Sequence, residues 1–429
     1  MSSKSYLTQI NPDLQALGNE ADLLYYGAED VKVSSIEFNN RVGRYIRSLT
    51  TLSFGGSSDI SIPNYDLLGS TYLQVRMPAL PATVALPDNW LHHCIESINY
   101  SWGTSNISLV KISGQDMLHH NYMSCETKEK REKMTNLAGS MKPAGVSQVE
   151  TTAAIVLKFP WSIMGCDKKK KLFDTRLLDT NMLIQITWAS KEKIFGYLDA
   201  NLADVPTALA SAEIILKQNE LSDHSDSIYT EMRKDPSLIY NYPFNHLQTG
   251  SNHRFNSVVG TELVDFEMQG FLNSDLIGIL FSVCSTKDVT RTGGVRSFIN
   301  PFKLQKVENI KLEYNGQILS YYPANLSELA TLNISQGDTT CDLHQLDPAT
   351  GAEVGGDLEL SYVYYVPFTQ YKNISFGDEY NNTSVYKSQP LDLSFTFESD
   401  QVDTMIVRTT YIYNAYCSIQ DMASRIHFG

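Results

Sequence analysis

The stretch IESINYSWG at residues 95–103 returns later in the chain as VENIKLEYNG at residues 307–316. The four residues that open the two stretches lie 212 positions apart, and each stretch continues to a tyrosine and a glycine. A single match of this length can arise by chance. Its weight therefore depends on whether further pairs of segments follow at the same spacing.

Two further pairs follow in the same order. The segment LKFPW, which ends at Trp161, is answered by YYVPF, which ends at Phe368, 207 positions later. The dipeptide Leu178-Asp179 is answered by the same dipeptide at Leu391, 213 positions later. Three pairs in one order at nearly one spacing predict two copies of one β-sandwich.

Short segments rich in Ile, Val, Tyr and Thr recur along the chain between clusters of Gly, Pro, Asn and Asp. This pattern is typical of an all-β sandwich or barrel. In LDLSFTF, which begins at Leu391, apolar and polar residues alternate, so one face of that strand is predicted to be buried. The predicted strands are Tyr72–Met77, Cys94–Trp102, Thr152–Phe159, Met182–Trp188, Ile277–Cys284, Val307–Tyr314, Leu358–Val366, Leu391–Phe397 and Thr404–Tyr413.

Helical signals are few. Gln115–Lys133 is polar and rich in Glu, Lys and His, and Asn325–Leu332 has a cap-like Asn before LSELATL. Both are predicted to be helices or long loops inserted between strands. The segment Asp199–Ala212, with five alanines, is a third candidate helix.

The repeat and the strand pattern together divide the chain of 429 residues into two units, each large enough to bury its own core. The polar stretch LSDHSDSIYTEMRKDPS separates them as a linker. Residues before about Asn39 lack a strand pattern and are predicted to form an arm. The predicted organisation is an arm at residues 1–38, a first sandwich at 39–220, a linker at 221–237 and a second sandwich at 238–429.

Composition excludes some classes of function. The formal net charge of −14 opposes bulk binding to nucleic acid, because such binding requires an excess of Lys and Arg. No apolar run of membrane-spanning length is present, and the N-terminus lacks the apolar core of a signal peptide. We therefore expect a protein that is soluble and cytosolic when it is made.

A metal site of the cupin type is not expected. That site needs two His one residue apart on a strand, and the nine histidines include no such pair. If this segment is helical, the side chains of the adjacent His119 and His120 diverge by about 100°. Only one of them could then join Cys125 in a metal site. The six cysteines form no CxxC pair, so neither a zinc ribbon nor a disulfide framework is predicted.

Catalytic and cofactor-binding residues are also not predicted. No G-x-S-x-G motif is present, and Gly293-Gly294 lacks the phosphate-loop pattern. The one strong basic run, Lys168–Lys171, could contact an internal membrane, a genome or an acidic partner, and otherwise it is a solvated loop.

Residues 157–186, LKFPWSIMGCDKKKKLFDTRLLDTNMLIQI, carry a resemblance to a known family. This stretch resembles the double jelly-roll major capsid proteins of nucleocytoplasmic large DNA viruses and of their virophage and polinton-like relatives. Members have a strand that ends in a Pro with aromatic neighbours, then a loop, then a Leu-rich approach to an apolar strand. The matching residues are Phe159, Pro160, Trp161, Leu178 and Asp179.

The resemblance implies two tandem eight-stranded jelly-roll sandwiches with short helical insertions and a structural role without enzymatic activity. It implies a homotrimer that forms a pseudo-hexagonal capsomer of an icosahedral double-stranded DNA virus. Implied partners are neighbouring capsomers, penton and minor capsid proteins, and an internal membrane, without sequence-specific nucleic acid. The implied location is the virion capsid, assembled in the host cytoplasm.

Two alternatives stay open from sequence. One is a carbohydrate-binding or carbohydrate-active double β-sandwich, because that class shares the broad architecture. The other is a minor capsid or scaffold protein of the same lineage, since sequence pattern does not separate close paralogues.

Overall fold

The structure is a computed structural model, and it contains mainly antiparallel strands. It describes residues 38–62, 67–86, 89–101, 108–124, 128–140, 142, 147–157, 173–178, 180–198, 204–221, 230, 234, 240–285, 295–296, 305, 307–322, 335–339, 345–346, 353–354, 361–367, 383–385, 388–399, 402–420 and 423–428. We call residues 38–221 the first half and residues 240–428 the second half.

The first half contains eleven described strands and four short helices. The strands are β1 (Phe38–Ser48), β2 (Ser57–Ile62), β3 (Leu67–Met77), β4 (Val84–Ala85), β5 (Ile95–Ser101), β6 (Ser108–Ile112), β7 (Thr151–Val156), β8 (Phe173–Asp174), β9 (Met182–Trp188), β10 (Gly196–Leu198) and β11 (Ser211–Leu221). The helices are α1 (Trp90–Cys94), α2 (Gly114–Ser124), α3 (Lys128–Ala138) and α4 (Lys191–Ile194), and a 3₁₀ turn spans Thr175–Leu177.

The second half consists of strands in its described part. They are β12 (Tyr240–Thr249), β13 (His253–Asn256), β14 (Gly260–Glu267), β15 (Ser274–Ser285), β16 (Val295–Arg296), β17 (Val307–Tyr314), β18 (Gln317–Tyr322), β19 (Ser335–Thr339), β20 (Gln345–Leu346), β21 (Glu353–Val354), β22 (Ser361–Pro367), β23 (Thr383–Val385), β24 (Leu391–Ser399), β25 (Thr404–Gln420) and β26 (Ala423–Phe428).

Four sheets carry the fold, and they form two pairs with the same strand order. In the first half, sheet A has the order β1-β11-β3-β7 and sheet B the order β2-β9-β5-β6. In the second half, sheet C begins β12-β25-β15-β22 and continues to β19, and sheet D has the order β14-β24-β17-β18. The equivalent strands also follow one another in the same order along the chain. For example, β1 and β12 come first in their halves, and β11 and β25 take the second place in sheets A and C.

Each half has its own apolar core between its two sheets. In the first half, alternate residues of β3, β9 and β11, such as Val75, Ile186 and Ile214, are fully or almost fully buried in one cluster. In the second half, Phe281 of β15 and Phe395 of β24 stack with ring centroids 5.9 Å apart. Inward residues that alternate with outward ones are expected of strands with one buried face. The prediction of an all-β chain with short helical insertions is confirmed.

The first repeat seen in the sequence marks equivalent strand positions. Ile95 of β5 lies opposite Trp188, and Val307 of β17 lies opposite Phe397. Both strands then shift register within a few residues, and in β17 the shift includes Asn309 at a positive φ of 51°. The repeated Glu-bearing stretch therefore contains a β-bulge, which bends the strand at the same place in both sheets.

The pairing of Leu178 with Leu391 is wrong as a structural equivalence. Since Trp188 and Phe397 occupy the same position, the residue that corresponds to Leu391 is Met182, the first residue of β9. Leu178 precedes that strand, at the end of the 3₁₀ turn. A shared Leu-Asp dipeptide carries too little information to determine register, which depends on the backbone hydrogen bonds of the whole strand.

Two of the helix predictions can be checked. The described residues of Gln115–Lys133 are helical, and they belong to the two helices α2 and α3. Asp199–Ala212 is wrong as a helix, because residues 204–210 contain no α-helix and strand β11 begins at Ser211. Ala212 is buried there beside Ile214 on the inner face of sheet A, so the period-2 burial pattern overrides the helix propensity of alanine. Asn325–Leu332 lies outside the described residues.

The predicted boundaries remain predictions. Residues 1–37 of the arm and most of the linker at 221–237 lie outside the described residues. None of the described helices combines the length and the apolar character that crossing a bilayer requires.

Candidate functional site

Helix α2 begins with a capped turn directly after strand β6. The Ser113 hydroxyl accepts a hydrogen bond from the backbone N–H of Asp116 at 3.0 Å and donates one to Asp116 Oδ2 at 2.7 Å. The backbone N–H of Met117 donates to the Ser113 carbonyl at 3.1 Å, which closes the first turn. A serine in this position satisfies a backbone donor that the helix itself leaves unused.

Gly114 allows α2 to start close to the junction of α1 and β5. A Cβ atom at this position would lie 2.1 Å from the carbonyl oxygen of His92 and 2.6 Å from that of Ile95. Both neighbours are backbone atoms, which cannot rotate away as a side chain can. The start of α2 therefore requires glycine for reasons of space.

The Asp116 carboxylate connects the two halves. Thr249 Oγ1 donates to Asp116 Oδ2 at 2.5 Å, and Thr410 Oγ1 donates to Asp116 Oδ1 at 2.5 Å. These threonines lie opposite each other on β12 and β25. Asp116 is only 5% exposed. Hydroxyl donors and the positive end of the α2 dipole offset the cost of removing this carboxylate from water.

A second polar contact lies beside the first. Arg408 of β25 donates from Nη1 to the Gln115 side-chain oxygen. Arg408 and Thr410 are two residues apart on one strand, so their side chains share the outer face of sheet C. The first turn of α2 thus contacts this face through two consecutive residues, Gln115 and Asp116.

Apolar residues surround these polar contacts on the outer face of sheet C. Leu247, Leu280 and Ile412 are each no more than 1% exposed, yet they belong to neither apolar core. Their register positions place them on the same face as Thr410. Helix α2 also contacts β19 and β22, and strand β6 contacts β12. The first half therefore covers the outer face of sheet C.

Two further contacts join the halves. Strand β16 of the second half pairs with β10 of the first, Tyr197 lying opposite Arg296. The long strand β25 extends past β15, and Ala415 and Ile419 from this extension belong to the apolar core cluster of the first half. The inter-half contact thus combines a buried carboxylate, a strand pair and shared apolar burial.

Burial controls the titration of several groups. The Cys94 thiol is buried, and burial raises its pKa, so it stays protonated and unreactive at neutral pH. Burial also raises the pKa of Tyr411 to about 12 and lowers the pKa of His246 to about 4. His246 lies opposite Tyr413, on the face of β12 turned toward the second core. These groups favour a rigid, uncharged interior and none of them is an activated nucleophile.

The residues predicted from the family resemblance are only partly described. Phe159, Pro160, Trp161 and Asp179 lie outside the described residues. Leu178 is buried in the first core, and its backbone N–H donates to the Thr175 carbonyl at 3.2 Å.

The histidines considered for a metal site lie on helices. His92 and His93 are on α1 and are both buried, while His119 and His120 are on α2. Cys125 lies outside the described residues. Within the described ranges, no group of three or more His, Cys, Asp or Glu side chains is placed to hold a metal ion.

Sequence reasoning missed Asp116, the residue with the most inter-half hydrogen bonds described above. The signal was present as Ser113-x-x-Asp116, the spacing of a capping box. That spacing predicts the start of a helix. It does not predict that the carboxylate also accepts hydrogen bonds from two threonines of the second half, which lie 133 and 294 residues further along the chain.

The fold can be compared with solved structures, whereas no protein-family model and no curated sequence matches the chain. VP54 of PBCV-1, fitted into a cryo-EM reconstruction of the virophage Sputnik, superposes with a TM-score of 0.59 at 10% identity, over 93% of this chain and 100% of that chain. The mavirus major capsid protein superposes with a TM-score of 0.52 at 10% identity, over 94% and 93%. The Faustovirus major capsid protein gives 0.51 at 8% identity, over 96% and 99%.

The chain has the double jelly-roll fold. Sheets A and B are the two sheets of the first jelly roll, and sheets C and D are those of the second. The predicted fold of two tandem jelly rolls is therefore confirmed. The double jelly-roll fold also gives α2 a defined place, as an insertion of the first jelly roll that covers a sheet of the second.

Proposed function

We propose that this protein is the major capsid protein of an icosahedral double-stranded DNA virus and that it acts structurally, without catalysis. One observation carries the proposal. The double jelly roll matches proteins described as major capsid proteins over 93% to 99% of their length and at least 94% of this chain. A match across both jelly rolls supports a shared architecture of the whole subunit, beyond a single common module.

The inter-half contacts fit a structural role. Asp116, Gln115 and the buried outer face of sheet C hold the two jelly rolls against each other through polar and apolar contacts. A subunit with two fixed and similar lobes can form a trimer with a nearly six-fold outline. Heterologous contacts of this kind close into a ring when the rotation between neighbours is 120°.

The proposed partners follow from this role. They are two further copies in a homotrimer, then neighbouring capsomers, penton and minor capsid proteins, and an internal membrane where the virus has one. The net charge of −14 supports a shell surface that does not bind nucleic acid in a sequence-specific way. The proposed location is the virion capsid, with assembly in the host cytoplasm.

The mass of the purified protein and the appearance of its assemblies test the proposal. We expect multi-angle light scattering to give a trimer at micromolar concentration, and electron microscopy to show particles with a hexagonal outline. A stable monomer under these conditions, or turnover of a polysaccharide substrate at an enzymatic rate, would contradict it. The same images would reveal whether the particles assemble into closed shells.

A further inference from the structure

The connection between the last two strands differs in length between the two jelly rolls. In the first half it runs from the end of β9 at Trp188 to the start of β11 at Ser211, and it contains α4 and β10. In the second half only residues 400–403 separate β24 from β25. We call these segments the long connection and the short connection.

The long connection covers one end of the first jelly roll. Ile194 and Phe195 are no more than 2% exposed and belong to the first core. The Phe195 ring meets the ring of Phe54, in the loop between β1 and β2, edge to face with centroids 5.3 Å apart. Lys193 Nζ forms an ion pair with Glu96 Oε2 of β5 at 2.7 Å. The cover thus combines a lysine with the apolar residues that directly follow it.

The second jelly roll has a counterpart of Glu96, the residue that pairs with the lysine of the cover. Glu308 occupies the same place in the repeated stretch, on a strand at the same position of its sheet. The adjacent Val307 lies opposite Phe397, which is the residue equivalent to Trp188. Both jelly rolls therefore carry a carboxylate beside the strand that leads into the connection.

The second jelly roll also has a counterpart of Phe54. The N–H of Leu49 donates to strand β11 at 2.9 Å, and the N–H of Gly250 donates to strand β25 at 2.8 Å. Each bond closes the pairing of the first and last strands of its jelly roll. Phe54 and Phe255 each come five residues after this bond. Phe255 packs against the second core, and its ring centroid lies 5.7 Å from that of Phe397.

Three valines are exposed at this end of the second jelly roll. Val258 is 49% exposed, Val259 is 68% exposed and Val402 is 61% exposed. The two loops that carry them are joined by Ser257 and Asp403. The Ser257 N–H donates to the Asp403 carbonyl at 2.8 Å, and the Asp403 N–H donates to the Ser257 hydroxyl at 2.9 Å. Because the valines adjoin this pair in the chain, they form one patch, which we call the valine patch.

Carboxylates flank the valine patch. The Glu262 side chain accepts a hydrogen bond from the N–H of Val258 at 3.3 Å, and Glu398 is exposed opposite Thr261. An apolar patch with acidic neighbours is complementary to a segment that combines apolar side chains with Lys or Arg. Residues 191–195 of the long connection, KEKIF, have this composition.

We propose that the valine patch is a docking surface for a partner protein, through a segment in which Lys or Arg precedes branched aliphatic or aromatic side chains. The docked segment covers the second jelly roll as residues 191–195 cover the first. Removal of the three valines from water favours the contact, and the flanking carboxylates select the charge of the segment. The surface is complete within one subunit, so the inference adds a partner to the proposed function without resting on it.

A peptide with the sequence of the in-chain cover tests the proposal. The probe is a fluorescein-labelled peptide ASKEKIFG, which copies residues 189–196, added to the purified full-length protein. We expect fluorescence anisotropy to show saturable binding with a Kd of roughly 100 μM or tighter. A peptide with glutamate in place of both lysines should bind at least about 10-fold more weakly, because its charge then matches that of the flanking carboxylates.

Substitutions in the valine patch locate the binding. Val259→Asp and Val402→Asp should each weaken binding of the peptide at least about 10-fold, since a carboxylate would be buried in an apolar contact. Both residues are exposed, so the variants should keep the circular dichroism spectrum and the melting temperature of the unchanged protein. Val149→Asp is the matched control, because this valine of the first half is 82% exposed. It should leave the affinity for the peptide unchanged.

Two outcomes would overturn the inference. One is the absence of saturable binding to the unchanged protein at peptide concentrations up to about 1 mM, where even weak specific contacts are populated. The other is equal binding to the unchanged protein and to the two patch variants, which would place the peptide elsewhere on the molecule. Either result leaves the capsid proposal standing, because the trimer is measured separately by light scattering.

Discussion

Asp116 illustrates how one buried carboxylate can connect two jelly rolls. Its oxygens accept hydrogen bonds from Thr249 and Thr410 of the second half and from Ser113 of its own helix cap. Hydrogen bonds to a charged group contribute more than neutral ones, and the partners lie in different halves. The carboxylate therefore contributes both to the start of α2 and to the contact between the halves.

Replacing Asp116 tests this dual role. We expect Asp116→Ala to lower the free energy of unfolding by about 3 kcal/mol, since it removes the acceptor of two inter-half hydrogen bonds and part of a helix cap. Urea denaturation measures the change. A double-mutant cycle with Thr410→Val should show a coupling of about 1 kcal/mol or more. The control is Asp204→Ala, whose exposed carboxylate lies 3.4 Å from the Thr83 hydroxyl. Equal effects at Asp116 and Asp204 would refute the role assigned to Asp116.

His246 predicts a dependence of stability on pH. Burial lowers its pKa to about 4, whereas a histidine in the unfolded chain titrates near 6.5. Between these values the unfolded state binds a proton that the folded state does not, so the free energy of unfolding falls as the pH falls through this window. The loss reaches up to about 3 kcal/mol near pH 4. Well above pH 7 both states leave the residue unprotonated, so it no longer affects the pH dependence.

Thermal unfolding of the unchanged protein and of His246→Gln at a series of pH values measures this effect. The difference between the two curves should change between about pH 6.5 and 4 and be flat above pH 7. His253→Gln is a suitable comparison, because the His253 ring stacks on Phe266 at 4.2 Å but is far less buried than His246. A constant difference across the whole range would show that His246 does not titrate in this way.

At the scale of elements, the duplicated sheets B and D have diverged on their outer faces. In sheet B, Leu183 lies between Ser61 and Ser101. In sheet D, the corresponding position is Asp392, between Glu267 and Glu313. The pKa of Asp392 is raised by burial first and then by the nearby carboxylates. Like charges directly opposite each other in a sheet are destabilising.

This acidic row predicts a stabilising substitution. Asp392→Asn should raise the free energy of unfolding by about 0.5 kcal/mol at low salt, because it removes two like-charge contacts between neighbouring strands. The gain should shrink at high ionic strength, where exposed charges are screened. Asp59→Asn on β2 is the control, since Asp59 lies opposite the neutral Gln185. A gain from Asp59→Asn as large as that from Asp392→Asn would argue against the like-charge explanation.

At the scale of the whole molecule, each half has an apolar core formed by its own described residues, apart from Ala415 and Ile419, which join the core of the first half. The core of the first half begins at Leu49, and that of the second half begins at Val264. A segment without a strand pattern of its own needs a partner surface to become ordered. If the protein is the capsid subunit proposed above, the assembled shell would supply such a surface to residues 1–37.

Deletion of residues 1–36 tests the role of the arm, because strand β1 starts at Phe38 and stays intact. We expect the shortened protein to remain a trimer with an unchanged melting temperature, and to give a lower yield of closed shells. Light scattering measures the first property, and particle counts by electron microscopy measure the second. Normal shell yield without the arm would contradict the prediction.

The sequence by itself determined the fold class, nine of the strands and the duplication, but it did not predict strands such as β2 and β14. Met182–Trp188 and Val307–Tyr314 were predicted with the bounds that the structure has, because apolar alternation reflects one buried face of a strand. Tertiary structure decided which residues of the two halves correspond, since the shared Leu-Asp dipeptides do not align. It also decided that Ala212 lies in a strand and not in a helix. It likewise decided the role of Asp116. This carboxylate is buried against Thr249 and Thr410 of sheet C, and contacts between residues far apart in the chain leave no periodic signal in the sequence.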